Sequence, residues 1–353
     1  MTRCLSIHVR YRCRHAGACC SAEWTIPAEP HVLAIVNRER IQPLVGRESF
    51  VEAPAGATVS GLVVAHAHGA CVFFDAANER LCAIHRSAGA DALPTSCRHF
   101  PRIYLRDARG THLSLSHFCP TAAALLLDDL PVTIETASAP LALDGMVEGL
   151  DATEALPPLL RPDVLMDVQS YAEWERRAVA TLARDDVTCL EALAVVSAAT
   201  EKVCLWWIGD GTLLDAVTAA FAHAAGACDD GLDSDAARLE RIDAACPAAA
   251  RPVVARVTRD AAAAARVESL LRVHDAPLKR YLAARLFANW IAYQGRDLRT
   301  VIEWLRACLA VLRSEVGAGA DFIEAVRETD RIMLHVVDSQ TWAHSNAFSA
   351  TSR

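Results

Sequence analysis

The sequence has no apolar run that approaches the roughly 20 residues of a membrane-spanning helix. Its first ten residues are too polar and too basic for the apolar region of a secretory signal. We therefore expect a cytoplasmic protein with no membrane partner and with reduced thiols. Basic residues are also too few for a nucleic-acid-binding stripe, since 35 Lys and Arg stand against 43 Asp and Glu and the net charge is −8. We therefore expect no nucleic-acid partner.

Several common catalytic and binding motifs are missing as well. There is no phosphate-binding loop, no Gly-x-Ser-x-Gly nucleophile turn and no His-Glu-x-x-His zinc motif. Gly209-Asp-Gly211 lacks the third glycine of a dinucleotide or S-adenosylmethionine fingerprint. Neither the C-x₂₋₄-C pairs of zinc knuckles nor the C-x₃-C-x₂-C triplet of radical enzymes is present. The protein classes that are defined by these motifs are therefore excluded.

What the sequence does have is cysteine, 13 in all. Thiolates are the ligands of structural zinc and of iron–sulfur clusters, and dense cysteines in a reduced compartment favour metal binding over disulfides. Packed, reduced thiols are the alternative. The later cysteines are scattered, and we expect them to pack as small apolar side chains. The predicted metal ligands are Cys13, Cys19, Cys20, Cys71, Cys82, Cys97 and Cys119, and the scattered ones are Cys189, Cys204, Cys228, Cys246 and Cys308. Cys4 is the thirteenth cysteine and is not among the predicted ligands.

The region around these cysteines is irregular, with one clear hairpin. Alternating polar and apolar residues predict strands at Phe100–Arg106 and Thr111–His117, joined by the turn Asp107–Gly110. Pro120 then opens a predicted helix, Thr121–Asp128, which places Cys119 at a helix N-terminus, where a thiolate is favoured. Further extended segments are predicted at Ser6–Arg12 and Val63–Ala67, and a loop at Gly46–Gly61.

The second half of the chain is predicted to be helical. Leucines, valine and isoleucine between Leu298 and Leu312 form one apolar helix face. A repeat every fourth residue runs from Leu278 to Trp290, and similar helices are predicted at Tyr171–Leu182 and Leu190–Trp207. The expected fold is mainly α, with an irregular, metal-stapled, cysteine-rich N-terminal module and a short β-hairpin packed on a helical domain. The predicted divisions are residues 1–128 (cysteine module), 129–164 (Pro-containing connection), 165–343 (helical domain) and 344–353 (mobile tail).

Other residues near the cysteines are weaker candidates. On a strand, His66 and His68 would lie on the same face, where two imidazoles form a candidate metal pair. The alternative is that both are ordinary surface residues. His99 lies two residues from Cys97, and that spacing alone does not predict a catalytic pair, because a nucleophile and its base must meet in space. Arg98 and Arg102 would offset the charge of a thiolate cluster, and solvent exposure is the alternative for both.

The motifs around the cysteines also occur in a known family. They are Tyr11-Arg-Cys13, Cys19-Cys20 with Trp24, Cys71-Val-Phe-Phe74, Leu81-Cys-Ala-Ile84, Cys97-Arg-His-Phe-Pro-Arg102 and Leu113-Ser-Leu-Ser-His-Phe-Cys-Pro120. In order and identity they resemble the YkgJ-type cysteine-cluster family of zinc- or iron-chelating proteins, and most closely the flagellin lysine N-methylase relatives. The resemblance covers Tyr11 to Leu126, about a third of the chain. Two departures concern the ligand set: Ala16 stands where relatives have a cysteine, beside His15, and His85 stands where they often have tyrosine.

The resemblance implies a 4Fe–4S or other iron–sulfur cluster, or zinc, held by the cysteines. It also implies S-adenosylmethionine as methyl donor and a protein-lysine N-methyltransferase acting on flagellin or another protein. No residue outside the resemblance indicates a methyl-donor site, so whether the protein is an enzyme stays open at this point. The alternatives are a non-catalytic iron–sulfur or zinc protein for assembly or sensing, and a structural zinc scaffold.

Overall fold

A computed structural model describes residues 1–22, 24–55, 59–77, 82–137, 148–224, 232–247 and 261–345. Some sequence predictions lie at least partly outside these residues. They concern the loop Gly46–Gly61, Leu81, Cys228, the Pro-containing connection (138–147), the helical division 165–343 and the end of the tail (346–353).

The strands are short, and most lie in the first half of the chain. Within the described ranges they are β1 (Thr2–Leu5), β2 (Phe50–Glu52), β3 (Leu62–Val64), β4 (His66–Ala67), β5 (Ala70–Cys71), β6 (Arg102–Asp107), β7 (Gly110–Leu115), β8 (Ile134–Ala137), β9 (Gly149–Asp151), β10 (Leu159–Arg161) and β11 (Val164–Leu165). Five of them form one mixed sheet in the order β8-β1-β7-β6-β9. The others form the two-stranded pairs β2–β3, β4–β5 and β10–β11.

The predicted hairpin is the centre of the five-stranded sheet. β6 and β7 pair antiparallel, with Tyr104 opposite Leu113. β1 adds in parallel to β7, with Thr2 opposite Thr111, and β9 adds in parallel to β6. The extended segment predicted at Ser6–Arg12 is therefore wrong, because the strand that pairs with β7 precedes it and Ser6 begins a short helix.

Helices make up most of the remaining described chain, so the fold is mainly α. They are α1 (Ser6–Val9), α2 (Pro30–Arg38), α3 (Ala83–Ala88), α4 (Thr95–His99), α5 (Pro120–Ala124), α6 (Val168–Leu182), α7 (Cys189–Cys204), α8 (Leu213–Ala222), α9 (Leu232–Ala245), α10 (Ala261–Val273), α11 (Asp275–Leu286), α12 (Ile291–Gln294), α13 (Arg299–Gly317), α14 (Phe322–His335) and α15 (Ser339–Ser345). Three 3₁₀ turns lie at Ala18–Cys20, Ala90–Ala92 and Leu125–Leu127. No helix among the described residues is both long and apolar enough to cross a membrane.

The helices begin and end where their residues dictate. Thr188 caps the start of α7 in a capping box. Its hydroxyl accepts a hydrogen bond from the backbone amide of Glu191, and the Glu191 carboxylate accepts one from the backbone amide of Thr188. The α13 stripe is buried against α14, α9 and α10, as its periodicity predicts. The repeat predicted to reach Trp290 ends earlier, at Leu286, because Phe287 has an extended backbone with a ψ of 131° and Ala288 follows it with a left-handed φ of 55°.

The described residues form three hydrophobic clusters, of which two are large cores. The third is a small cluster of Tyr11, Leu115, Cys119 and Ala122. The larger core combines the helices with Leu5, Ile7 and Leu105 of the N-terminal third, so the sheet and the helices share one interior. The smaller one, called the small core, contains Val32, Val36, Ile41, Val64, Ala65, Val72, Phe73, Ala83, Ile84 and Ala92. We call the described residues between 26 and 97, which surround it, the small lobe.

A buried charge cluster fastens the turn end of the hairpin to the helices. Arg109 Nη1 donates to Glu175 of α6 at 2.8 Å, and Asp107 accepts from Arg109 and from the Tyr293 hydroxyl at 2.7 Å. Glu175 also accepts the amide of Ala288 at 3.0 Å. Because each charge has partners, the cluster holds the hairpin against α6 without leaving a buried charge unpaired.

Candidate functional site

All seven cysteines predicted as metal ligands line one cavity. Its volume, measured as space open to the centres of water molecules, is about 180 Å³. One water needs only about 10–15 Å³ on this measure, so the cavity has room for a group much larger than a water molecule. The thiols in its lining are those of Cys13, Cys19, Cys20, Cys71, Cys82, Cys97 and Cys119. Residues as far apart in sequence as Cys13 and Cys119 therefore meet in space.

Cys19 and Cys20 reach the cavity from a 3₁₀ turn that follows Gly17. Gly17 has a left-handed φ of 80°, and a Cβ placed on it would lie 2.4 Å from the ring of Phe74. Only glycine fits this position without displacing Phe74, so the turn that presents the two thiols requires it. The Sγ atoms of Cys19 and Cys20 are 4.0 Å apart.

Cys82 and Cys119 both stand at the N-terminal cap of a short helix, α3 and α5 respectively. Burial raises the pKa of each thiol, and backbone N–H groups of the following turn lower it. These amides are Ile84 and His85 for the first thiol. The placement predicted for Cys119 after the hairpin is confirmed, and the amides stabilise the thiolate form that binds metal.

Four of the thiols influence one another's ionisation directly. Burial raises the pKa of Cys97 well above its usual range, and negative charge on Cys19, Cys71 or Cys82 raises it further. Burial likewise raises the pKa of Cys71 to about 12, with contributions from Cys82 and Cys19, and Cys82 is affected by burial and by Cys19. Four thiols in this relation cannot all ionise unless a cation offsets their charge.

A second group of side chains lies on the Cys13 and Cys119 side of the cavity. The Tyr11 hydroxyl is 3.8 Å from the Sγ of Cys119, and the Sγ of Cys13 is 3.9 Å from Nδ1 of His15. His15 has a left-handed φ of 53°, and its ring centroid is 5.1 Å from that of His85. Both departures from the family pattern, His15 beside Ala16 and His85, thus lie in the cavity lining.

Of the weaker candidates near the cysteines, some line the cavity and others do not. Arg98 and Arg102 both line it, and the Arg102 guanidinium lies 5.3 Å from the centroid of the Tyr11 ring. His66 also lines it, but β4 ends at Ala67 and His68 turns away with a φ of 54°. The two histidines therefore do not share a strand face.

The thiols are distributed around the cavity rather than drawn to one point. Among the described residues, no group of three or more His, Cys, Asp or Glu side chains is close enough together to hold a metal ion as it stands. A tetrahedral zinc ion with Zn–S distances near 2.3 Å would bring its sulfurs to about 3.8 Å from one another. The lining also includes the apolar side chains of Ile26, Val64, Phe73, Ile84 and Leu93.

The four later cysteines that the structure describes do not line this cavity. Cys189, Cys204, Cys246 and Cys308 are buried, as predicted for thiols that pack as apolar side chains. The Cys204 thiol donates to the carbonyl of Leu160 at 3.2 Å.

Sequence reasoning missed a buried polar chain beside Cys119. His8 Nε2 and His117 Nε2 are 3.4 Å apart, and His117 Nδ1 is 3.1 Å from the Asp330 carboxylate. All three side chains are buried. No sequence signal joins them, because His8 and Asp330 belong to opposite ends of the chain.

These histidines predict a pH-dependent stability. Burial lowers the pKa of His8 and of His117, so the unfolded chain takes up protons near pH 6.5 while the folded chain does not. The free energy of unfolding is therefore expected to fall as the pH drops from 7 to 5.5, by up to about 1 kcal/mol per histidine. Urea unfolding of the native protein and of His8→Gln at both pH values checks this. The loss should be smaller in the variant, and an equal loss in both would contradict the role of His8.

The chain has no match among known proteins: no family model, no curated protein and no solved structure matches it. The likeness to the cysteine-cluster family rests on the sequence motifs, and it stays a prediction. The thiol-lined cavity is the structural feature from which function can be inferred.

Proposed function

We propose that this protein binds an iron–sulfur cluster in the thiol-lined cavity. The observation that carries the proposal is the convergence of seven thiols from separate segments on one cavity. A 4Fe–4S cluster takes four cysteine thiolates. All seven cavity thiols are therefore proposed as candidates for the four ligands. Negative charge on Cys19 raises the pKa of five of the others, which places Cys19 near them: Cys20, Cys71, Cys82, Cys97 and Cys119.

The spread of the thiols favours a cluster over a single zinc ion. No three ligand side chains among the described residues are close enough to hold one ion. A cluster places its irons at the corners of a larger body, so its cysteines stand farther apart than those of one tetrahedral ion. A cavity of about 180 Å³ suits such a group.

The chain supplies the surroundings that a cluster needs. Apolar side chains line part of the cavity, and Arg98 and Arg102, which also line it, would offset the negative charge of the thiolates. When bound, the cluster would supply one-electron chemistry or cross-link the segments that hold it. Cross-linking matters because the small core contains only ten buried apolar residues. The N-terminal region is thus proposed to be metal-stapled, in a reducing compartment such as the cytoplasm.

Methyl transfer to protein lysine is a second, separate proposal, supported by the sequence resemblance alone. In that reaction a neutral lysine Nζ takes the methyl group of S-adenosylmethionine, releasing S-adenosylhomocysteine and a proton. The substrate would be flagellin or another protein. Incubation of the cluster-loaded protein with flagellin and labelled S-adenosylmethionine tests this proposal. If no flagellin lysine becomes labelled, flagellin methylation is contradicted.

Anaerobic purification tests the cluster directly. The protein should be brown, with visible absorption near 400 nm that reductant bleaches, and with iron and acid-labile sulfide in about equal amounts. Elemental analysis and the absorption spectrum are measured on one sample. Colourless protein with stoichiometric zinc would overturn the cluster and leave a zinc scaffold. Protein with neither metal would overturn metal binding.

A further inference from the structure

Side chains of helix α14 form hydrogen bonds with each of the three residues that immediately precede Cys119. His335 Nε2 lies 2.8 Å from the Ser116 hydroxyl, and the Arg327 Nε donates to the carbonyl of Phe118 at 3.1 Å. Between these two contacts, Asp330 accepts the backbone amide of His117 at 2.5 Å. One helix thus contacts each consecutive residue of the segment that carries a cavity thiol.

Asp330 is the central contact, and its charge is fully buried. Its carboxylate also accepts the Tyr281 hydroxyl at 2.9 Å and lies 3.5 Å from Nη1 of Arg285. Burial acts to raise the pKa of Asp330, but Arg285 and the hydrogen bonds from His117 outweigh it and lower the pKa to about 2. A carboxylate that stays ionised in such a place is held by several donors at once, so its geometry is rigid.

Arg285 links the same carboxylate to the end of the hairpin. Its Nη2 donates to the carbonyl of Leu115 at 2.6 Å. The segment from Leu115 to Phe118 is therefore fixed by α11 and α14, while Cys119 at its end begins α5 and faces the cavity. Groups that hold a ligand's backbone and orientation tune metal sites without touching the metal.

We propose that Asp330 is a positioning residue of the thiol centre, which orients Cys119 through its bonds to His117. The role in a metal centre rests on the proposed function; the positioning of the thiol does not. The helical part of the molecule thereby controls the geometry of a cavity formed by the N-terminal part.

The test compares Asp330→Asn with the native chain, both purified anaerobically. Asparagine keeps the size and one acceptor oxygen but loses the charge. Iron release to a chelator is expected to be about tenfold faster in the variant, with a shifted visible or electron paramagnetic spectrum. The matched control is Glu175→Gln, which also neutralises a buried carboxylate paired with arginine, but at the turn end of the hairpin. It should lower the melting temperature and leave iron release unchanged.

A second readout works without metal and separates the two proposals. In metal-free protein, mass spectrometry follows alkylation of each thiol. Asp330→Asn should speed alkylation of Cys119 about tenfold, because a charged hydrogen bond is lost, while Cys204 reacts as in the native chain. If the native protein binds no metal but this selective change appears, the proposed function fails and the positioning role stands. Equal alkylation of Cys119 in both proteins would overturn the positioning role.

Arg327→Gln guards against a variant that fails to fold. Arg327 is partly exposed and contacts the same segment, so its loss should speed alkylation of Cys119 in the same direction. Arg331→Gln is its control, since Arg331 lies on the same helix and pairs with Glu328. If Cys119 is alkylated at the same rate in these two variants, the proposal that α14 positions the segment before Cys119 is contradicted.

Discussion

Cys97→Ser is expected to lose the proposed cluster almost completely, with iron per chain falling at least about tenfold. Cys97 is proposed as a ligand because it lines the cavity and because negative charge on Cys19, Cys71 and Cys82 raises its pKa, which places it near three other cavity thiols. Serine replaces the soft thiolate with a hard hydroxyl that binds iron poorly. Iron, sulfide and visible absorption of the anaerobically purified variant measure the effect.

The matched control for this substitution is Cys204→Ser. Cys204 is also buried, but it lies in α7 and donates to a backbone carbonyl instead of lining the cavity. The control should keep the iron and sulfide content of the native protein. Cys97→Ser with native iron content, or equal losses in both variants, would contradict the proposed ligand set.

Removal of the metal is expected to unfold the small lobe while the helices stay folded. The small core has ten buried apolar residues, several of them alanine or valine, and three cavity thiols lie in this lobe: Cys71, Cys82 and Cys97. Without a metal to cross-link them, the lobe has little else to offset its conformational entropy. Hydrogen exchange after chelation should show protection in the small lobe falling at least about a hundredfold.

Helix α13 is the internal control for this measurement. It lies in the larger core between α14, α9 and α10, and its amides should keep their protection after chelation. A loss of protection spread evenly over the small lobe and α13 would mean that metal supports the whole fold. Unchanged protection in the lobe would mean that metal does not staple it.

Local sequence patterns predicted those elements whose residues carry a complete signal. The hairpin alternates in the period of two around a turn, and Pro120 marks the first turn of a helix, so both appear where expected. The segment Ser6–Arg12 carried a weaker pattern. Its neighbour Thr2–Leu5 formed the strand instead, because the parallel register with β7 sets Thr2 opposite Thr111.

The prediction for α11 shows the same limit at a helix end. The repeat every fourth residue from Leu278 continues to Trp290, yet the helix stops at Leu286. Ala288 adopts a left-handed backbone while its amide donates to Glu175, which is 113 residues away in sequence. A repeat of apolar residues every four positions cannot predict a contact between residues so far apart in sequence.

The sequence by itself determined the chemical inventory: which thiols are crowded in sequence and which helices have an apolar face. These follow from composition and from spacings within about one or two turns, where local geometry decides. Only the tertiary structure decided that seven cysteines line one cavity, that His15 and His85 join them, and that Asp330 holds the segment before Cys119. Those relations depend on packing between distant segments, which the order of residues along the chain does not express.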